Sequence, residues 1–335
     1  MRGKGTQRFA VLIAGLLVAA LGLGWMGLQG ASPASAVPVV SLGAQALCVV
    51  TPGNEARDLV AGDILTARKS VLVECYLISD PTIVQALQSA RQRGCDVRVL
   101  MEEAPFGGFS MNQTIRNQLR SSGIDASWGN RVYSFTHAKY VVIDGVVAWI
   151  MTANLSKSAF DKNREILVRT GNQSVVSDLA RIFWADRRRS PCAVGSLVVS
   201  PVNARQCLLA LLRESRHRVD IASEVFDDEE IRGVLEDLAS RGVVVRVLVA
   251  APENIAANAV TRSQLEGTGV TVRYLESPYL HAKYIVVDGC LAYVGSHNLS
   301  AGSLDENREV GFITDDCMVL STLETTFSGD WDSGT

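Results

Sequence analysis

The chain has 335 residues, of which 47% are hydrophobic and 20% are charged, and 32 basic residues against 35 acidic ones give a formal charge of −3. This composition excludes an intrinsically disordered chain and a collagen-like or coiled-coil protein. A polytopic membrane protein is also excluded, because only one apolar run is long enough to span a bilayer. The small net charge argues against a strongly basic nucleic-acid binder, although it is compatible with a local basic groove.

The first 36 residues have the layout of an export signal. Three basic residues within the first eight positions precede an uncharged run over residues 9–28, and the polar stretch that follows ends in Ala-Ser-Ala at 34–36. The pattern predicts a cleaved signal peptide or, because the apolar run is long, a retained membrane-spanning helix. Both alternatives predict that the protein is exported, and cleavage would change the formal charge from −3 to −6.

Strands and helices alternate after this segment. Residues 71–78 form a β-rich run, residues 81–93 have the apolar spacing of a helix that ends at Gly94, and residues 97–101 form another strand-like run. Polar and apolar residues alternate over 137–144, and a glycine and a further apolar run follow, which predicts a β-hairpin. This order is typical of an α/β fold.

The second part of the chain repeats the same order. Residues 219–225, 229–241 and 243–250 predict strand, helix and strand, and residues 281–288 predict a second hairpin. Several short motifs recur at an offset of 144 positions, which indicates a duplication. They are residues 136–145 with 280–289, Asn-Leu-Ser at 154–156 with 298–300, and Asn-Arg-Glu at 163–165 with 307–309. We therefore expect an N-terminal segment over 1–36 and two halves over 37–190 and 191–335.

The seven cysteines give no sign of a metal site. None of them is spaced as Cys-x-x-Cys, and none has a histidine nearby, so a zinc site is not expected. Cys75 and Cys290 fall in apolar, strand-like runs and are predicted to be small buried side chains.

Each half carries the same set of reactive side chains. A histidine is followed by a lysine at +2, an aspartate at +7, a hydroxyl residue at +15, an asparagine at +17 and a glutamate at +28. Histidine can attack phosphorus or donate a proton, lysine can hold a phosphate oxygen, and a carboxylate can orient a histidine. The two sets are His137, Lys139, Asp144, Thr152, Asn154 and Glu165 in the first half and His281, Lys283, Asp288, Ser296, Asn298 and Glu309 in the second.

The spacing resembles the signature of the phospholipase D superfamily, which is His-x-Lys, four residues, Asp, six residues and Gly-Ser-x-Asn. The second half matches it throughout, whereas Met151-Thr152 stands in the first half where Gly-Ser is usual. The resemblance implies two tandem phospholipase D-like halves, each a mixed β-sheet flanked by helices, in a pseudo-twofold bilobal unit with one active site at the interface. It also implies phosphodiester cleavage without a metal or another cofactor.

The resemblance implies a role for each residue of the two sets. One histidine attacks phosphorus and becomes a phosphohistidine while the other protonates the leaving oxygen, and by analogy His137 is the nucleophile and His281 the acid. The lysines, asparagines, Thr152 and Ser296 would hold the phosphate. Glu165 and Glu309 would orient the histidines, in an order that the sequence leaves open, and Asp144 and Asp288 would brace the site.

Three functions are compatible with these residues. The first is hydrolysis or transfer of phospholipid head groups, which suits an exported protein with possible membrane contact through residues 9–28. The second is an exported nonspecific endonuclease, because compact members of the superfamily include nucleases. The third is a binding module that has kept the fold. The sequence leaves the substrate, the acceptor and the oligomeric state open.

Overall fold

The computed structural model describes residues 37–43, 46–106 and 109–335. The predicted export segment over residues 1–36 lies outside the described residues. Among the residues that are described, no helix has the length and apolar character needed to cross a bilayer.

The first half is built around a mixed sheet of seven strands. Its elements in chain order are β1 (Leu47–Val50), α1 (Asn54–Thr66), β2 (Ser70–Cys75), α2 (Pro81–Gln92), β3 (Asp96–Met101), α3 (Phe109–Ser121), β4 (Asp125–Trp128), β5 (Lys139–Ile143), β6 (Val147–Met151), α4 (Lys157–Asp161), β7 (Asn163–Arg164), β8 (Ile166–Thr170) and α5 (Gln173–Arg188). The strand order is β1-β8-β6-β5-β2-β3-β4. Strands β2, β3 and β4 are parallel, and the other neighbours are antiparallel.

The second half repeats the seven-stranded sheet of the first. Its elements are β9 (Val198–Ser200), α6 (Ala204–Arg213), β10 (Arg218–Ser223), α7 (Glu229–Ser240), β11 (Val244–Ala250), α8 (Ala257–Leu265), β12 (Thr271–Leu275), β13 (Tyr279–Leu280), β14 (Lys283–Val287), β15 (Leu291–Gly295), α9 (Ala301–Asp305), β16 (Glu309–Thr314) and α10 (Cys317–Ser333). The order β9-β16-β15-β14-β10-β11-β12 is that of the first sheet. The predicted α/β fold of two equivalent halves is confirmed. The predicted boundary between residues 190 and 191 falls in the connection between α5 and β9.

Local sequence explains where the repeated helices begin. Asp80 caps α2 by accepting the backbone N–H groups of Thr82 and Ile83, and Pro81 occupies the first turn, where no N–H is needed. Asp228 caps α7 in the equivalent place. Gly94 follows α2 with a φ of 94°, a conformation that favours glycine. The predicted helix over 81–93 is therefore correct to within one residue.

A shared core joins the two halves. The inward faces of both sheets pack with apolar residues of α5 and α10, among them Phe183 of α5 and Phe327 of α10. Two further cores lie on the outer faces, one beneath α1 and α2 and one beneath α6 and α7. Burial of apolar area on this scale is the main favourable contribution to folding. It fixes the two sheets against each other and so fixes the residues at their interface.

The two predicted hairpins are present, with one difference at their start. Strand β5 pairs with β6, and β14 pairs with β15, but His137 and His281 each precede the strand that carries the lysine. Cys75 is buried as predicted, whereas the prediction for Cys290 is wrong. Cys290 is exposed because it lies in the turn between β14 and β15 rather than in a strand.

Candidate active site

The backbone of each histidine is bound by the other half of the chain. The N–H of His137 donates to the carbonyl of Arg308 at 2.8 Å, and the N–H of His281 donates to the carbonyl of Arg164 at 3.1 Å. The two arginines are the central residues of the repeated Asn-Arg-Glu motif. The Asn-Arg-Glu motif of each half thus lies beside the histidine of the other half. Each histidine bonds to this motif through its backbone, and strands β5 and β14 begin two residues later, at the lysines.

The glutamates of the same motif also contact the histidine of the opposite half. Nδ1 of His137 lies 2.7 and 2.8 Å from the two carboxylate oxygens of Glu309. Nδ1 of His281 lies 2.8 and 2.9 Å from those of Glu165. The sequence left open which glutamate serves which histidine, and in the structure each serves the histidine of the opposite half. A carboxylate on Nδ1 holds the ring so that Nε2 is free to react.

A different hydroxyl holds each glutamate. Thr152 donates to Glu165 at 2.6 Å, whereas Ser303, which the sequence analysis did not single out, donates to Glu309 at 2.5 Å. Ser296 exchanges hydrogen bonds with the backbone of Val310. Thr152 and Ser296 are both fully buried and their hydroxyls are bonded internally. Both hydroxyls therefore support neighbouring groups of the site, and their expected contact with phosphate stays a prediction.

Burial and the nearby lysines keep the His137 ring neutral. They lower its pKa to about 4, because burial disfavours the imidazolium form and Lys139 and Lys283 repel it, although Glu309 opposes the effect. The pKa of Glu309 falls to about 2, because its attraction to His137 and Lys139 outweighs its burial. His137 is therefore an uncharged base with a fixed tautomer at neutral pH.

Both lysines of the site are buried, and the charge of one acts on the other. Lys139 and Lys283 are each 1% exposed, and each donates to the carbonyl of the histidine two residues earlier, at 2.6 and 2.5 Å. Burial and the charge of Lys283 lower the pKa of Lys139 to about 8. Ammonium groups at such a site can hold the anionic oxygens of a phosphodiester.

The asparagines and aspartates differ in their access to the site. The buried amide oxygen of Asn154 has no hydrogen-bond partner among the described residues. Asn298 accepts the N–H of Val225 at 3.2 Å. Asp144 accepts three backbone N–H groups of residues 68–70, and Asp288 accepts three of residues 216–218. These bonds lower the pKa of both aspartates despite burial, and they tie the end of each hairpin to the adjoining loop.

Besides Ser303, three further residues at the site were not found from the sequence. The ring of Tyr76 meets that of His137 edge to face, with centroids 4.6 Å apart. Glu224 accepts from Lys283 at 2.8 Å and from the hydroxyl of Tyr279 at 2.7 Å. Tyr76 and Glu224 directly follow the residues that pair with Lys139 and Lys283, so they hold equivalent places. A residue-by-residue comparison of the two halves would have found them.

The two remaining histidines differ in their burial. His297 is fully buried, and its Nδ1 lies 2.5 Å from the hydroxyl of Tyr293. His217 is exposed.

Two ion pairs cross between the halves. Arg164 donates to both carboxylate oxygens of Asp330 at 2.7 and 2.8 Å. Arg308 lies 2.9 Å from Asp186 and also donates to the hydroxyl of Tyr133. Each arginine therefore reaches the long helix of the opposite half, α10 or α5. The same repeated motif supplies the glutamate for the site and the arginine that holds the halves together.

The arrangement as a whole suits in-line displacement at phosphorus. It offers a neutral imidazole, a second imidazole oriented by a carboxylate, two buried cations and amide groups. An acid and a nucleophile from two facing halves can act on opposite sides of one phosphorus atom.

Comparisons with known proteins find a family model that matches both halves of the chain. A family model described as "Cardiolipin synthase, PLD-like domain" matches residues 60–187 and 208–331. Cardiolipin synthase A of Pseudomonas putida strain W619 is 27% identical over 322 residues, which cover 84% of this chain and 67% of that protein.

Two solved structures resemble the fold. Phosphatidylserine synthase from Haemophilus influenzae has a TM-score of 0.67 at 14% identity, with 84% of this chain and 85% of that chain covered. Polyphosphate kinase from Porphyromonas gingivalis has a TM-score of 0.67 at 16% identity, with 86% of this chain and 50% of that chain covered. At these identities the resemblance concerns the fold alone.

Proposed function

The chain belongs to the phospholipase D-like family, and from that premise we propose that it hydrolyses or transfers phospholipid head groups through a covalent phosphohistidine. The observation that carries the proposal is the pair of crossed histidine–glutamate contacts beside Lys139 and Lys283. The names of the matched synthases favour a phospholipid substrate.

The first step would be attack by Nε2 of His137 on the substrate phosphorus. A bond forms between nitrogen and phosphorus, and the bond between phosphorus and the leaving oxygen breaks. Nε2 of His281 gives its proton to that oxygen, so the first alcohol leaves uncharged. Lys139 and Lys283 would hold the phosphoryl oxygens as charge develops on them.

The second step would reverse the first with another acceptor. Water or an alcohol gives its proton to Nε2 of His281, and its oxygen bonds to phosphorus. The bond between phosphorus and His137 then breaks, and both imidazoles return to their starting states. An alcohol acceptor makes the reaction a phosphatidyl transfer, whereas water makes it a hydrolysis.

The comparisons do not favour the alternative of an exported endonuclease. The export expected from residues 1–36 stays a prediction, as does membrane contact through residues 9–28. Neither is needed for the chemistry proposed at the site.

The proposal is tested with the purified full chain in excess chelator. Vesicles of phosphatidylglycerol and phosphatidylcholine would be supplied with and without ethanol, and phosphatidylethanol, phosphatidic acid and free head groups would be measured. We expect one or more of these products, their loss in His137→Ala, and their retention in His217→Ala, which changes an exposed histidine. Cleavage of single-stranded DNA with intact lipid would contradict the proposal and support the nuclease alternative.

A further inference from the structure

One pair of equivalent positions gives the two halves of the site a different charge. In the first half, Tyr76 follows the strand residue that pairs with Lys139, and its ring lies beside His137 and 5.4 Å from Nζ of Lys139. In the second half, Glu224 follows the strand residue that pairs with Lys283. A neutral aromatic ring therefore faces one histidine–lysine pair, and a carboxylate faces the other.

The carboxylate of Glu224 lies close to the lysine, the histidine and the asparagine of its own half. Its Oε2 atom lies 2.8 Å from Nζ of Lys283, 3.5 Å from Nε2 of His281 and 3.4 Å from the amide nitrogen of Asn298. Attraction to His281 and Lys283 outweighs its burial and lowers the pKa of Glu224 below its ordinary value. Glu224 is therefore an anion at neutral pH.

A second difference accompanies the first. Tyr279 precedes His281 by two residues, and its hydroxyl donates to Oε1 of Glu224 at 2.7 Å. Phe135 precedes His137 by two residues, has no hydroxyl, and packs edge to face on Tyr76. The tyrosine hydroxyl thus occurs in the half that has the carboxylate, and Tyr279 and Glu224 form one hydrogen-bonded pair.

The two imidazoles therefore have different charged neighbours. His281 lies between Glu165 on Nδ1 and Glu224 near Nε2, with Lys283 and Tyr279 as the other polar neighbours. His137 has a carboxylate, Glu309, on Nδ1 and an aromatic ring beside it. A carboxylate within 4 Å favours a proton on the nitrogen that faces it. His281 therefore has a carboxylate at each of its ring nitrogens.

Glu224 also makes the two lysines differ in their charge pairing. It neutralises Lys283, whereas within the part of the chain that the structure describes the ammonium group of Lys139 donates to the backbone carbonyl of His137. An anionic phosphodiester is therefore attracted more strongly to the first half, next to His137. The charge arrangement places phosphorus beside the nucleophile and the leaving oxygen toward the acid.

We propose that Glu224, held by Tyr279, is a positioning residue that breaks the symmetry of the duplicated site, keeps the transferable proton on His281 and so assigns nucleophilic attack to His137. The inference rests on the proposed phosphohistidine chemistry. It adds a residue outside the repeated motifs and a reason for the division of roles between two otherwise equivalent halves.

The first test is the pH profile of kcat/KM on phospholipid vesicles for Glu224→Gln and Tyr279→Phe. Loss of the carboxylate weakens the hold on the proton, so the alkaline limb of Glu224→Gln should move to lower pH by about one unit or more, a loss of about tenfold on that limb. Tyr279→Phe should move it in the same direction by less. Glu229→Gln, which changes an exposed glutamate at the start of α7, should leave the profile unchanged. An unshifted limb in Glu224→Gln would overturn the assignment.

The second test locates the covalent intermediate. The reaction would be quenched in alkaline denaturant, and peptides would be mapped by mass spectrometry. We expect the adduct on His137 in the unsubstituted chain and its movement to His281 in the double variant Tyr76→Glu with Glu224→Tyr, which exchanges the two environments. An adduct that stays on His137 in the double variant would overturn the role of Glu224. Absence of turnover and of any adduct in the unsubstituted chain would instead defeat the proposed function.

Discussion

Nδ1 of His137 and the carboxylate of Glu309 stand 2.7 Å apart although 172 residues separate them and they belong to different halves of the chain. The equivalent contact of His281 with Glu165 runs in the opposite direction. Neither half therefore supplies the carboxylate that orients its own histidine at Nδ1. The site exists only where the two halves meet.

Replacing the orienting carboxylate should reduce turnover without unfolding the protein. Glu309→Gln keeps the size of the side chain but allows the wrong tautomer of His137, and such a change typically costs up to about 10⁴-fold in kcat. We expect a loss of about 10² to 10⁴ in kcat, measured on phospholipid vesicles. Glu306→Gln, at an exposed neighbouring position, is the matched control and should retain full activity. Equal activities of the two variants would remove Glu309 from the mechanism.

Removing a buried lysine should separate activity from stability. Burial lowers the pKa of Lys139 to about 8, so its charged form is held at a cost to folding below that pH. Lys139→Met should therefore leave the Tm unchanged or raise it, while kcat/KM falls by at least about 10²-fold, as for loss of one oxyanion-stabilising group. Lys162→Met, at an exposed position, should change neither quantity. A large drop in Tm with normal kcat/KM would indicate a purely structural role.

Acid should destabilise the fold through His137. Its pKa falls from 6.5 to about 4 on burial, so the unfolded chain binds more protons and the contribution to stability, complete above pH 6.5, is lost as pH falls toward 4. In His137→Asn the free energy of unfolding should decline less steeply between these values, by up to about 1.4 kcal/mol per pH unit. Denaturant titrations at a series of pH values measure this slope. Identical slopes for the two proteins would contradict the neutral state assigned to His137.

A second acid-sensitive contribution belongs to Glu309. Its pKa is lowered from 4.5 to about 2, so its contribution is complete above pH 4.5 and is lost as pH falls toward 2. The losses from His137 and Glu309 follow one another as the solution is acidified. In Glu309→Gln the part of the decline below pH 4.5 should be smaller, which the same titrations can measure.

The ion pair that crosses between the halves should contribute more to stability than an exposed one. Arg308 is 3% exposed and lies against Asp186, and its removal leaves a buried carboxylate without its partner. Arg308→Ala should therefore lower the free energy of unfolding by about 3–5 kcal/mol. Arg131→Ala, which breaks the exposed pair with Glu103, should cost about 1 kcal/mol or less. Similar losses in the two variants would argue against a special role for the crossing pair.

The duplication, the order of strands and helices, and the set of reactive residues could all be predicted from the sequence alone. Helix α2 was predicted from its apolar spacing and its final glycine, because both signals are local. His137 and His281 were found because the same residues recur at a fixed offset. Family resemblance then predicted one shared site, and the equivalent order of strands in the two sheets agrees with the duplication that underlies this prediction.

Which glutamate contacts which histidine depends on how the two halves pack, and the repeat does not report it. A repeat of 144 positions is the same whether Glu165 serves His137 or His281, and only the packing of the sheets around α5 and α10 makes the crossed pairing the one that forms. Glu224 was missed for a related reason. It departs from the repeat, and a search for matching residues passes over a difference, although the difference decides the charge beside His281. Sequence periodicity reports what the halves share, whereas through-space contacts report where they differ.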